Sequence, residues 1–261
     1  MRIQTKHYIN GAFVESTGTE VLDVINPATE EVIGKISNGT AEDVDRAVQA
    51  AKEAFPAFSQ TTKEERIELL NNIAHEYEKR KKEFIDTVTE ELGAPLHLSE
   101  RSHYNMGLAH FREAAKQLET FEFEEIRGNS VIRKEPIGVS GLITPWNFPT
   151  NQTTTKLSSA FAAGCTVVLK PSELTPYSAI MLTEIFEKAG LPKGVFNLVN
   201  GTGQTVGNAI TSHPDVEFIS FTGSGETGKI ISKNAANTIK KVALELGGKS
   251  PNIIFADADL E

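Results

Sequence analysis

From residue 136 onward the chain alternates with a regularity that leaves few architectures open. Apolar, β-branched-rich runs at 137–143, 165–170, 195–199, 216–221 and 241–245 are separated by helix-like segments at 154–163, 178–189, 204–210 and 227–234. The runs are of strand length, and most intervening stretches are long enough to cross back over a sheet. Strand–helix–strand units with nearly continuous apolar strands require a parallel sheet covered by helices on both faces. The expected class is therefore α/β: a doubly wound, mostly parallel sheet. In such sheets ligands gather at the carboxyl ends of the strands, where strand order reverses.

The preceding residues do not follow this rhythm. His7-Tyr8-Ile9 and Ala12-Phe13-Val14 flank Asn10-Gly11, a two-residue hairpin signal. Short strands are expected at 21–25, ending at Asn26-Pro27, and at 31–36. Thr40, with Asp43 three residues on, caps a helix carrying Val44, Ala47, Val48, Ala51 and Phe55 at helical spacing. Thr61 to Glu64 reads as a capping box. It opens one helix with Ile67, Leu70, Ala74 and Tyr77 on a stripe, broken at Gly93-Ala94-Pro95. A further helix runs from about 98 to 118. Phe121 to Glu124 and Ser130 to Glu135 form an excursion β-hairpin around Gly128-Asn129. The chain divides into N-terminal strands and helices (1–119), the hairpin (120–135), the β/α region (136–248) and the start of a further domain (249–261).

Charge and cysteine usage exclude several function classes. With a net charge of -9, the one dense basic run is Lys79-Arg80-Lys81-Lys82, flanked by Glu76, Glu78 and Glu83. It reads as a solvated helix face, so nucleic acid is not an expected partner. Cys165 is the only cysteine, which rules out a disulfide within these 261 residues and suits a reducing compartment. The first residues hold no apolar signal core, and no run approaches the ~18 apolar residues of a membrane span. A cytoplasmic protein with no membrane partner and no metal site is expected.

Four motifs fall at the predicted carboxyl ends of strands. Gly223-Ser224-Gly225-Glu226-Thr227-Gly228 fits G-x-G-x-x-G after a strand and before a helix. There a helix N-terminus offers free N–H groups and the positive end of its dipole to a phosphate. Alone, the pattern also fits an ordinary βα turn; in this setting it makes the sheet Rossmann-like. Glu245 follows Gly223 by 22 residues. That spacing suits a ribose-binding acid, and its place at a strand end beside Gly247-Gly248 suits a catalytic base. Thr144-Pro145-Trp146-Asn147-Phe148-Pro149 is either a structural turn around a packed indole or a rigid mount for an Asn amide facing an oxyanion. Lys170-Pro171-Ser172-Glu173 is either a surface pair or a pair that binds ribose hydroxyls.

Together with Tyr8-Ile9-Asn10-Gly11 and Asn26-Pro27-Ala28-Thr29, these segments resemble the aldehyde dehydrogenase superfamily, in family order through essentially the whole chain. The pair Trp146-Asn147-Phe148-Pro149 and Leu244-Glu245-Leu246-Gly247-Gly248-Lys249 is the specific part. The resemblance implies a modified Rossmann domain binding NAD, with NADP as the alternative, and an enzyme that oxidises an aldehyde to a carboxylic acid. It assigns cofactor contacts to Thr144, Pro145, Trp146, Lys170, Ser172, Glu173, Gly203, Gly207, Phe221, Thr222, Gly223, Ser224, Thr227, Leu246 and Gly247. Ser224 would meet the pyrophosphate, Lys170 and Glu173 the adenosine ribose, and Gly203 and Gly207 the adenine side. Asn147 would hold the oxyanion. Glu245 moves from ribose binding to general base.

The family's chemistry also needs a cysteine thiolate, which lies some tens of residues beyond the Glu-Leu-Gly-Gly motif. This chain ends at Glu261, and Cys165 begins a strand at the opposite edge of the sheet. The expectation is a cofactor-binding N-terminal portion, inactive alone, whose longer parent takes a dinucleotide and a small aldehyde. The hairpin resembles the family's oligomerisation strands, which implies a homo-oligomer for the longer protein. A naturally short, non-catalytic dinucleotide-binding or interaction protein is the alternative. An acyl-phosphate reductase fits less well, because a water-activating Glu serves only thioester hydrolysis.

Overall fold

The β/α rhythm is realised as a seven-stranded sheet in a computed structural model that describes residues 1–259. The last two positions of the 249–261 segment lie outside the described residues. The chain begins with β1 (Arg2–Gln4), the hairpin β2 (Lys6–Ile9) and β3 (Ala12–Glu15), then β4 (Val21–Ile25) and β5 (Val32–Ser37). Helices α1 (Ala41–Phe58), α2 (Lys63–Glu78), α3 (Lys81–Leu92) and α4 (Leu96–Leu98) follow, then a π-helical stretch at Ser99–Tyr104 and α5 (Asn105–Thr120). The excursion hairpin is β6 (Glu124–Arg127) and β7 (Ser130–Arg133). The β/α region comprises β8 (Val139–Ile143), α6 (Pro149–Ala163), β9 (Thr166–Lys170), α7 (Tyr177–Lys188) and β10 (Phe196–Leu198). It continues through a π-helical stretch at Gly203–Gly207, α8 (Asn208–Ser212), β11 (Phe218–Gly223), α9 (Gly225–Ala236) and β12 (Lys241–Leu246).

The strand order is β12-β11-β8-β9-β10-β2-β3. The pairs β12–β11, β11–β8, β8–β9 and β9–β10 are parallel, and the N-terminal hairpin adds antiparallel through β2. The chain runs outward from β8 to β9 and β10, then returns to the other side of β8 for β11 and β12. Strand order therefore reverses between β8 and β11, the position where open α/β sheets bind ligands.

Burial explains why these strands read as apolar runs. All residues of β8 and β9 are buried. Val167 and Leu169 feed a core cluster with α2, α5, α6 and α7 residues such as Tyr77, Phe111, Leu157 and Phe186. Val168, between them, feeds the opposite cluster with Val44, Val48, Ile210 and Ile231. That is the two-residue alternation of a strand covered on both faces. The Asn10-Gly11 turn has φ 52 and 76, the left-handed pair that a two-residue hairpin requires. A side chain at Gly141 in β8 would meet Ile210 at 2.5 Å, so α8 approaches the sheet only over a glycine.

Several expectations need correcting. The second capping box is Thr62 with Glu65, one residue later than expected, and the Thr40–Asp43 box stands as expected. The single helix from Thr61 to Gly93 is two helices that break at Lys79-Arg80. The basic run therefore lies at a junction, not on one face. Arg80 turns inward to bond Met181 O and pair with Glu83 and Glu184. The helix expected from 98 is wound as a π-helix up to Tyr104. Helix α6 starts at Pro149 rather than 154, because proline is well suited to a first helical turn. Helix α9 starts at Gly225 rather than Thr227, leaving only Ser224 between strand and helix. Among the described residues no helix is long and apolar enough to cross a membrane, and no cluster of potential metal ligands occurs.

Candidate functional site

A cleft of about 490 Å³ opens at the switch point, lined among others by Ile143, Glu173, Gly203, Gly207, Thr211 and Thr227. It brings together residues from two of the predicted motifs, the loop after β9 and the first turn of α9, with Gly203 and Gly207 of the π-helical stretch after β10. Thr202 caps the π-helical stretch through Thr205 N, and both residues are tied to Asn38 Oδ1. Gly203 has open space where a side chain would stand.

The start of α9 is built as an anion cradle. Ser224 is the N-cap: its Oγ accepts from Thr227 N at 3.2 Å, and its carbonyl accepts from Gly228 N. The N–H groups of Gly225 and Glu226 have no partner among the described residues. They sit at the positive end of a 12-residue helix. The three glycines differ in purpose. A side chain on Gly223 would strike the Phe221 ring at 2.4 Å, and one on Gly228 would strike Leu246 at 2.8 Å. Gly225 has nothing within 4 Å, so it leaves an open approach to the helix end.

Lys170 stands at the carboxyl end of β9 and is 3% exposed. Its Nζ donates to Pro171 O at 2.8 Å, Gly201 O at 2.8 Å and Glu173 Oε2 at 3.1 Å, which uses all three protons. Burial lowers its pKa, with Glu173 acting against that. In this arrangement Lys170 clamps two loops and steers Glu173, whose side chain is 36% exposed and lines the cleft. Ser172 is spent on the same turn, accepting from Leu174 N at 3.3 Å.

The other predicted residues lie at the same edge but outside that cleft's lining. Thr144 is buried, with its N–H bonded to Lys170 O and its hydroxyl against Thr153. Pro145 is half-buried, and Trp146 is 54% exposed with its carbonyl accepting from the Thr175 hydroxyl. Asn147 is exposed. Phe148 stacks on the buried His103 ring at 5.2 Å and 15°, so the π-helical turn before α5 props the Asn147 turn. Phe221 is buried, and Thr222 keeps a buried hydroxyl with no partner. Glu245 is exposed and in register with Thr222; Leu246 and Gly247 follow it at the sheet edge.

One residue at this edge escaped the sequence reading. Lys156, within α6, is 9% exposed and donates to Ser220 Oγ at 2.8 Å. Burial lowers its pKa to about 8, while the charge of Glu245 acts to raise it. The signal was present in the sequence: Lys156 is the only charged residue between Glu135 and Lys170. Cys165 is 4% exposed and lies just before β9, at the edge opposite Lys170.

Comparison with known proteins gives one answer. Residues 13–261 match the model of the aldehyde dehydrogenase family. A Staphylococcus haemolyticus protein, provisionally named an aldehyde dehydrogenase, is 57% identical over 261 residues, covering 100% of this chain and 55% of that protein. A cysteine-to-alanine mutant of aldehyde dehydrogenase C from Pseudomonas syringae, solved with NAD+ and octanal, is similar with a TM-score of 0.95 at 46% identity. That match covers 98% of this chain and 53% of that one. An aldehyde dehydrogenase structure from Bartonella henselae gives a TM-score of 0.96 at 48% identity, covering 100% of this chain and 56% of that one. The chain spans about half the length of the curated relatives it matches.

Proposed function

The chain belongs to the aldehyde dehydrogenase family, and we propose that it carries the NAD+ site and two reaction-centre groups of an enzyme oxidising an aldehyde to a carboxylic acid. The observation that carries this reading is the switch-point cleft, where Glu173, Gly203, Gly207 and Thr227 converge beside the uncovered start of α9. The donor set fits a dinucleotide. Two free N–H groups and a helix dipole suit a diphosphate. A carboxylate in the cleft suits ribose hydroxyls, and the partnerless Thr222 hydroxyl leaves a polar contact open.

When bound, the nicotinamide supplies a hydride acceptor. Everything else falls to the chain's own groups. Ser224 shapes the turn that presents the Gly225 and Glu226 N–H groups to phosphate. Glu173, steered by Lys170, accepts from ribose hydroxyls, and its charge disfavours a 2′-phosphate, which selects NAD+ over NADP+. Trp146, exposed on its rigid turn, walls the cofactor channel. The Asn147 amide donates to the substrate oxygen as negative charge builds there. Glu245 takes the proton of the water that releases the acid.

The nucleophilic thiol of this chemistry has no candidate within the 261 residues, because Cys165 is buried at the far edge of the sheet. On this reading the chain binds NAD+ and turns over only together with residues outside this sequence. The single cysteine suits a cytoplasmic setting. The hairpin β6–β7, with Ile126 78% and Val131 61% exposed, supports a longer enzyme that assembles as a homo-oligomer. Calorimetric titration with NAD+ and with NADP+ tests the proposal: NAD+ should bind at one site and more tightly, and Glu173→Gln should narrow the difference. No binding of either, or tighter NADP+ binding, would contradict it.

A further inference from the structure

We propose that Glu91 is a positioning residue for the cofactor cleft: its carboxylate caps α7 from outside the helix and thereby anchors the 171–176 loop that presents Glu173. This rests on reading the cleft as a dinucleotide site.

Glu91 is at the end of α3 and 2% exposed. Its Oε2 accepts from Tyr177 N at 2.7 Å and its Oε1 from Ser178 N at 3.1 Å, the first two residues of α7. The residue at the N-cap of that helix is Pro176, which makes no side-chain cap. Two donors that every helix start leaves over are thus satisfied by a carboxylate from a distant element, at the end of the dipole that favours negative charge.

A buried carboxylate is retained only when bonded or paired, so this contact is built at a cost and removing it leaves two amides unmatched. Burial raises the Glu91 carboxyl to about 7, against the donors of Ser178 and Tyr177 and the charge of Arg2. The charged and titratable groups around it are Arg2 of β1, Glu90 on its own helix and Tyr177 of α7. Arg2 pairs with Glu90 at 3.0 Å and lies over the Tyr177 ring, whose hydroxyl donates to Arg2 O.

The loop between β9 and α7 is consequently held at both ends. Lys170 fixes its start through Pro171 O and Gly201 O, and Glu91 fixes its end at Tyr177 and Ser178. In between, the Thr175 hydroxyl bonds Trp146 O at 3.4 Å, which couples the loop to the turn after β8. Glu173 is the member of this span that lines the cleft. Fixing both ends lowers the entropy that Glu173 must lose when it takes up a ligand.

The test combines amide exchange with NAD+ calorimetry on the 261-residue chain at pH 8, for wild type, Glu91→Gln, Glu173→Gln and the double variant. Glu91→Gln should speed exchange across 171–178 and weaken NAD+ binding by roughly five- to tenfold. In the Glu173→Gln background the same change should alter affinity less than twofold, because both act through one carboxylate. Glu91→Asp, which keeps the charge, should shift both readouts less and in the same direction, and stands in if Glu91→Gln does not fold. Unchanged exchange at 171–178, or affinity losses that multiply fully in the double variant, would overturn the proposal. A wild-type chain that takes up no NAD+ would overturn the dinucleotide reading itself, while exchange alone would still decide whether Glu91 anchors the loop.

Discussion

Thr222 and Glu245 are register partners on adjacent parallel strands, so the expected base stands beside a buried hydroxyl that has no hydrogen-bond partner. An unpaired buried hydroxyl costs stability that an isosteric methyl would not. Thr222→Val should therefore leave the melting temperature unchanged or raise it. If the hydroxyl serves the cofactor, NAD+ affinity should fall several-fold in the same variant. A large drop in melting temperature, read by differential scanning calorimetry, would show that the hydroxyl is already satisfied.

Lys170→Ala should weaken NAD+ binding, by releasing Glu173, and also destabilise the fold by about 2–4 kcal/mol, because it strands the carbonyls of Pro171 and Gly201. Glu245→Gln should leave NAD+ affinity nearly unchanged, since the exposed Glu245 lies outside the cleft lining. Titration calorimetry on both variants decides it. Equal losses would return Glu245 to ribose binding.

Ser224 separates capping from phosphate recognition. Ser224→Ala should cost about 1 kcal/mol of stability through the lost cap. Ser224→Asp keeps a capping oxygen and places a charge that the helix dipole favours, so stability should hold. That same charge repels a diphosphate, and NAD+ affinity should fall by at least about tenfold. Denaturant unfolding and NAD+ titration of the two variants read the two roles independently.

The pH dependence of stability carries a mark of Lys156. Its folded pKa is lowered to about 8 from 10.5, so the unfolded chain binds more protons between those values. Its contribution to stability is accordingly unfavourable below about pH 8 and is relieved as pH rises toward 10.5. Lys156→Met should gain on the order of 1–3 kcal/mol relative to wild type near neutral pH. The gain should shrink as pH climbs through that window. Paired urea unfolding curves from pH 7 to pH 10 measure it, and a constant difference would contradict the lowered pKa.

Much of this was legible beforehand for one physical reason. Strands covered on both faces must be apolar throughout, so Val139–Ile143 and Thr166–Lys170 announce themselves, and parallel strands force the crossovers between them. The motif residues follow to one edge of the sheet because they sit at its strand ends, although only Glu173, Gly203, Gly207 and Thr227 of them line the cleft. What was not legible depends on tertiary partners. The break at Lys79-Arg80 has no proline or glycine to mark it; Arg80 is turned inward by Glu184 and Met181, far along the chain. The π-helical turn at Ser99–Tyr104 holds no glycine or proline to set it apart from ordinary helix. The capping role of Glu91 spans 86 residues to Tyr177. Among charged residues of α3, nothing local singles it out.

The proposed function stands on NAD+ binding in the cleft between Glu173 and the start of α9. Titration calorimetry of the 261-residue chain with NAD+, repeated for Glu173→Gln and Ser224→Asp, decides it. One site per chain is expected, weakened by each substitution while both variants remain folded. No heat of binding, or wild-type affinity in both variants, would contradict it.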